Sequence, residues 1–152
     1  KKGVIVDTAL IKVAQSSLKN YGALALHKGI GRQGTDLQGM YDTMSDYWTA
    51  VRNVFDEAWG LPSTQSRLMH SAGIQAMGVL MDRIVPRTPK DENFQTNIQK
   101  ALEAIRPNCA WTEGEWEGLG MVWNEIQSVP RHIRSLSEHL VQLDYIASRN
   151  TK

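Results

Sequence analysis

The sequence predicts an all-α protein, an irregular bundle of about six helices forming a single domain over residues 1–152. Three observations carry that expectation. Apolar residues recur at steps of three and four in successive segments. Start and stop residues (Asp, Ser or Thr before the stripes, Gly or Pro after them) punctuate the segments. No stretch sustains the apolar/polar alternation of a half-buried strand.

A first helix is predicted from about Asp7 to Tyr21, capped by Asp7 or Thr8 and buried along Leu10, Ile11, Ala14 and Leu18. From Gly22 to Gly34 the pattern loosens. Ala23, Leu24, Leu26 and Ile30 form a short apolar turn, and Gly29, Gly31 and Gly34 break it into a connection. The second helix is the clearest. Thr35 and Gln38 spell a Thr-x-x-Gln capping box, in which each side chain satisfies an orphan N–H of the first turn. Leu37, Met40, Tyr41, Met44, Tyr47, Trp48, Val51, Val54, Phe55 and Ala58 then build a broad stripe that Gly60 and Pro62 end.

A third helix restarts at Ser63 or Thr64 and runs to about Ile84 along Leu68, Met69, Ala72, Ile74, Ala76, Met77, Leu80 and Met81. Its Gly73 and Gly78 each cost about 1 kcal/mol relative to alanine, which close approach of a neighbour would offset. After Pro86 and Pro89, Asp91 caps a fourth helix carrying Phe94, Ile98, Ala101, Leu102 and Ile105, stopped by Pro107. A second capping box, Thr112-x-x-Glu115, opens a predicted fifth helix with Trp116, Leu119, Val122, Trp123 and Ile126. The last helix starts at Ser128–Pro130 and carries Ile133, Leu136, Leu140, Leu143 and Ala147.

Composition bounds the function classes. The apolar fraction of 41% and charged fraction of 22% are those of a folded globular chain. No apolar run approaches the roughly 20 residues that span a bilayer, so no membrane insertion is expected. The start of the chain carries charge but meets Asp7 too early for a secretory signal, and it lacks an initiator Met. A fragment of a longer polypeptide is therefore expected. The lone Cys109 excludes an internal disulfide and a Cys-based zinc site and fits a reducing cytoplasm. A net charge of +1 favours no nucleic acid or lipid surface as a whole, but the charge is blocked. Lys1, Lys2, Lys12, Lys19, Lys28 and Arg32 make the first segment basic, while Asp36, Asp42, Asp46, Asp56 and Glu57 follow. Such blocks read as solvated helix faces or partner-facing patches.

The search for chemistry finds little that converges. His27, His70, His132 and His139 fall on separate stretches, and His132 and His139 are about 10 Å apart along one helix. Neither a metal nor a cofactor is expected from them. Gly29-x-Gly31-x-x-Gly34 has a nucleotide-binding spacing without the strand that gives it meaning. The five tryptophans sit at helical spacing among acids, as core residues would, and not among cations as base-stacking platforms. Pro130-Arg131-His132-Ile133-Arg134 is the best basic cluster, placed where helix N–H groups point outward and a phosphate is favoured. Arg131 and Arg134, with Lys12 and Lys19, are the candidate phosphate or DNA contacts. Arg134-x-x-x-x-His139 also resembles the Arg-x4–6-His signature of HEPN ribonucleases, where Arg clamps the phosphate and His moves the proton. In an unbroken helix those two residues lie about 140° apart around the axis.

Three stretches together carry a further resemblance. Tyr47-Trp48-x-x-Val51-x-x-x-Phe55-x-x-x-Trp59 is followed by Leu68-x-x-x-Ala72-Gly73-Ile74-x-Ala76-Met77, and then by Trp111-Thr112 and Trp123-Asn124-x-Ile126-Gln127. This order resembles the helical C-terminal region of DGQHR-domain proteins, the group that includes DndB-like regulators of DNA phosphorothioation. The resemblance spans roughly Thr35 to Leu140, and its naming signature, Asp-Gly-Gln-His-Arg, does not occur here. It implies an accessory helical domain of a bacterial, cytoplasmic protein linked to DNA modification, defence or mobile DNA. No catalytic residue carries over. The expected role is thus non-catalytic, supporting contacts with a protein partner, with the rest of its own chain, or with DNA; the HEPN-like ribonuclease is the alternative. The Met- and Trp-rich stripes suit a homo-oligomer interface as well as a core.

Overall fold

The computed structural model describes residues 23–24 and 36–150. The predicted first helix, Lys12, Lys19 and Thr35 lie outside the described residues. Within them the chain is mainly helical, with four α-helices and one two-stranded antiparallel sheet.

Helix α1 spans Leu37–Val54. Asp36 is its N-cap, its carboxylate accepting from the Gly39 N–H at 2.9 Å. The Gln38 amide donates one turn forward to Asp42 at 2.9 Å. Tyr47, Ala50 and Val51 are fully buried, whereas Leu37 and Tyr41, both in the predicted stripe, lie exposed. The helix stops at Val54, and Phe55 and Ala58 complete its buried face from turns that end at Gly60, whose φ is 84°.

Helix α2 spans Ser71–Ile84, starting several residues after the predicted caps at Ser63 or Thr64. The cause is Arg67. Its backbone N–H donates to the Trp111 carbonyl at 2.8 Å, which pulls residues 63–70 out of helical pairing into turns. Its guanidinium then donates to the carbonyls of Ser63, Asn124 and Ile126 at 2.7–2.9 Å. The Arg67 carbonyl lies 1.9 Å from where a Cβ on Gly73 would stand. That close approach accounts for a glycine in the first turn of the most buried helix. The Tyr47 hydroxyl donates to the Met77 carbonyl at 2.6 Å and ties α1 to α2.

A 3-10 turn, Val85–Arg87, leads on to helix α3, Phe94–Ile105, whose Phe94, Ile98, Leu102 and Ile105 are buried. Asp91 builds the preceding turn, accepting from the N–H of Asn93 on its carboxylate; the N-cap position itself belongs to Asn93.

The predicted fifth helix is not a helix. Strands β1 (Glu115–Trp116) and β2 (Met121–Val122) pair antiparallel, Glu115 opposite Val122 and Trp116 opposite Met121, and a 3-10 turn, Trp123–Glu125, follows. Gly114, Gly118 and Gly120 have φ of 82°, 91° and 65°. Three left-handed positions within seven residues are incompatible with a continuous right-handed helix. Helix α4, Pro130–Asn150, is the last element of the described residues.

Helix α2 packs chiefly on α4, α1 on α3, and α3 also on α4. Two contacts orient the principal pair. Ser128, just before α4, stands 3.4 Å from His70 at the start of α2, and Arg87, just after α2, pairs with Asp144 near the end of α4. Helices α2 and α4 are therefore parallel, with like ends adjoining. Edge-to-face rings join the rest: Phe55 to Trp111, Trp111 to Trp116 and Trp116 to His139, with centroids 6.4, 5.0 and 6.0 Å apart.

Candidate functional site: the groove between two parallel helices

Parallel packing leaves an open groove of about 850 Å³ along the outer seam of α2 and α4. One wall is Ser71, Gln75, Val79 and Arg83, a single row at one residue per turn on α2. The other is built from Arg134, Glu138 and Gln142 on α4, with Ile133, Ser137 and Val141 beside them. Ser128 and Pro130 stand at its mouth, where both helices begin.

Val79, Ile133 and Val141 are half-buried and make an apolar floor. Two floor-level hydroxyls are already engaged, Ser71 accepting from Gln75 at 2.9 Å and Ser137 donating to the Ile133 carbonyl at 2.6 Å. Arg83 and Arg134 are exposed, and among the described residues neither guanidinium makes a hydrogen bond or an ion pair. The groove thus combines an apolar base with two uncommitted cations, and Glu138 is its acid.

His70 sits at the mouth. Its Nδ1 accepts from the Ala72 N–H at 3.2 Å, which makes an imidazole the N-cap of α2 and requires that nitrogen to be unprotonated. Burial, and then the neighbouring Arg67, push its pKa below the ordinary histidine value.

The structure separates the other predicted site residues. Arg134 lines the groove, but Arg131 opens onto a second hollow of about 510 Å³, with His132, Glu125 and the Gly118–Leu119 turn. His139 is on a third surface, packed edge-on against Trp116 and beside Gly118, with its pKa lowered by burial. Arg134 and His139 consequently line different hollows. Among the described residues no group of three or more His, Cys, Asp or Glu side chains is placed to share a metal ion. None of their helices is long and apolar enough to cross a membrane.

Sequence reasoning missed Ser71, Gln75 and Arg83. The signal was present: with Val79 they form an i, i+4 row that the apolar stripe of α2 leaves over. No family model matches the chain, and no curated protein and no solved structure matches it at a significant level.

Proposed function

We propose that this chain is a non-catalytic helical binding domain, the accessory domain of a DGQHR (DndB-like) bacterial, cytoplasmic protein associated with DNA modification or defence. In this reading the α2/α4 groove is where it holds a protein partner or another part of its own polypeptide. The observation that carries it is the combination of a half-buried apolar floor with two arginines that have no partner among the described residues. Grooves of this kind take an apolar stripe from a partner and use flanking charges for orientation. The resemblance to DGQHR proteins supplies the biological setting, and it rests on residues such as Trp48, Phe55 and Trp111 that pack the core.

Protein is favoured over DNA because Arg131 and Arg134 serve different hollows, whereas duplex binding wants its cations on one face. The ribonuclease alternative has the same difficulty with Arg134 and His139.

Selection of displayed helix-forming peptides on the wild-type chain tests the reading, with a Val79→Asp/Val141→Asp chain of unchanged circular dichroism as the counter-target. Enriched peptides should lose about tenfold or more in affinity on the variant. Peptides that bind both chains equally would refute the groove as the contact surface. Labelled duplex DNA titrated at two salt concentrations checks the nucleic-acid arm. Salt-sensitive binding lost in Arg131→Ala and Arg134→Ala would move DNA ahead of protein.

A further inference from the structure

Resting on that reading of the groove, we propose that its occupant is an amphipathic helix with an acid–base–acid charge pattern: a carboxylate against Arg134, a Lys or Arg one turn on against Glu138, and a second carboxylate against Arg83.

A helical occupant follows from the walls. The groove-lining row of α2 repeats every four residues from Ser71 to Arg83, and that of α4 repeats every four from Pro130 to Gln142. Such ridges accept the i, i+4 ridges of a third helix better than the two-residue repeat of a strand. From Ser71 to Arg83 the wall is about 18 Å long, the length of a helix of about twelve residues.

The charge pattern follows from the register of α2 against α4. His70 meets Ser128 at a sequence separation of 58, and Arg87 meets Asp144 at 57. The two helices therefore keep step, and Arg134 is level with positions 76–77 of α2. Arg83 then lies six or seven residues further along, about 10 Å, which is close to two turns of an occupying helix. Glu138 stands between the two arginines, one turn beyond Arg134 on the same wall. An occupant must therefore offer acids about seven residues apart with a base between them, and apolar residues over Val79, Ile133 and Val141. A helix with the opposite pattern would set cations against both arginines and an acid against Glu138. Like charges brought together in this way are what an interface uses to reject a wrong partner.

The test uses two synthetic peptides of about 15 residues, long enough to line the groove as helices. They share one apolar face; one carries Glu–Lys–Glu at the required spacing and the other Lys–Glu–Lys. Fluorescence anisotropy measures both against the wild-type chain and against an Arg83→Glu/Arg134→Glu chain whose fold is checked by circular dichroism. The Glu–Lys–Glu peptide should bind the wild-type chain roughly tenfold tighter, and the preference should invert on the charge-reversed chain. Equal binding of both peptides, abolished by Val79→Asp/Val141→Asp, would overturn the charge pattern and leave the groove as a contact surface. A preference that survives Val79→Asp/Val141→Asp would place the binding elsewhere and overturn both readings. Absence of binding by either peptide, with the wild-type chain sedimenting as a dimer that Val79→Asp/Val141→Asp dissociates, would overturn the inference in favour of a second copy as occupant.

Discussion

Arg87 forks onto Asp144 across 57 residues of sequence, its two terminal nitrogens each 2.6 Å from a separate carboxylate oxygen. The pair clamps the end of α2 to the distal half of α4. Its members are unequal, since the Asp144 side chain is 5% exposed and that of Arg87 is 41% exposed. Removing the cation therefore strands a buried carboxylate, while the cation's own attraction is partly screened by water. Arg87→Ala should destabilise the domain by about 2 kcal/mol, below the range for fully buried pairs. Arg87→Leu combined with Asp144→Leu should recover most of the loss. Urea unfolding of the three chains checks it, and a double variant as unstable as Arg87→Ala would show that the charge imbalance is not the cause.

Gly73→Ala should be severe, although alanine is the better helix former by about 1 kcal/mol. Its Cβ would stand 1.9 Å from the Arg67 carbonyl oxygen and 2.8 Å from its carbon, both backbone atoms of a turn held by Arg67 itself. Overpacking against backbone of this kind costs about 3 kcal/mol. A thermal midpoint equal to or above that of the wild-type chain would contradict the packing described for the 63–73 region.

Stability should fall as the solution is acidified below pH 6.5. His70 and His139 both have pKa values lowered from 6.5 by burial, so the folded chain binds protons less readily than the unfolded one. Such groups cost nothing above the unfolded pKa, where both states are neutral, and penalise the fold progressively as pH drops from the unfolded pKa to the folded one, below which the penalty is constant. Protonation of His70 Nδ1 also removes the α2 cap. His70→Asn keeps a capping oxygen that does not titrate, so it should flatten part of the dependence. Denaturation midpoints measured from pH 7.5 downward test this, and an unchanged slope in His70→Asn would clear His70 of the effect.

Cys109 should be nearly inert in the native chain. Burial pushes its thiol up to about 12, and the thiol donates to the Ile105 carbonyl at 3.4 Å. Cys109 is half-buried, so reaction with a thiol reagent at pH 8 should be slow, held back by its small thiolate fraction, and should become rapid in denaturant. A burst of modification without denaturant would contradict that burial.

What could be read from the sequence follows a physical divide. The stripes of α1, α2, α3 and α4 were legible because each buries a face whose period is set by helix geometry, and Pro130 marked the start of α4 correctly. Glu115 to Val122 misled for a related reason. Trp116, Leu119 and Trp123 fall at helical intervals, and strands of two residues are too short for alternation to register. Gly114, Gly118 and Gly120 were the stronger signal, since their left-handed backbone forces a hairpin. The beginning of α2 was hidden because the Arg67–Trp111 contact, which ends the turn region before it, joins residues 44 apart. The groove needed one fact that no single helix contains, namely that α2 and α4 lie side by side and parallel.

That parallel arrangement has a kinetic consequence. Antiparallel neighbours can zip together from a short connecting turn, but α2 and α4 meet only after α3 and the hairpin have been laid between them. The contacts that define their seam close loops of 57 to 59 residues. Such non-local contacts are the slow and late ones in folding. Substitutions along the seam should accordingly raise the unfolding rate and leave the folding rate nearly unchanged. A groove whose walls meet late in folding is expected to be missing from partly folded forms of the chain, so under the proposed binding role an occupant engages only fully folded molecules.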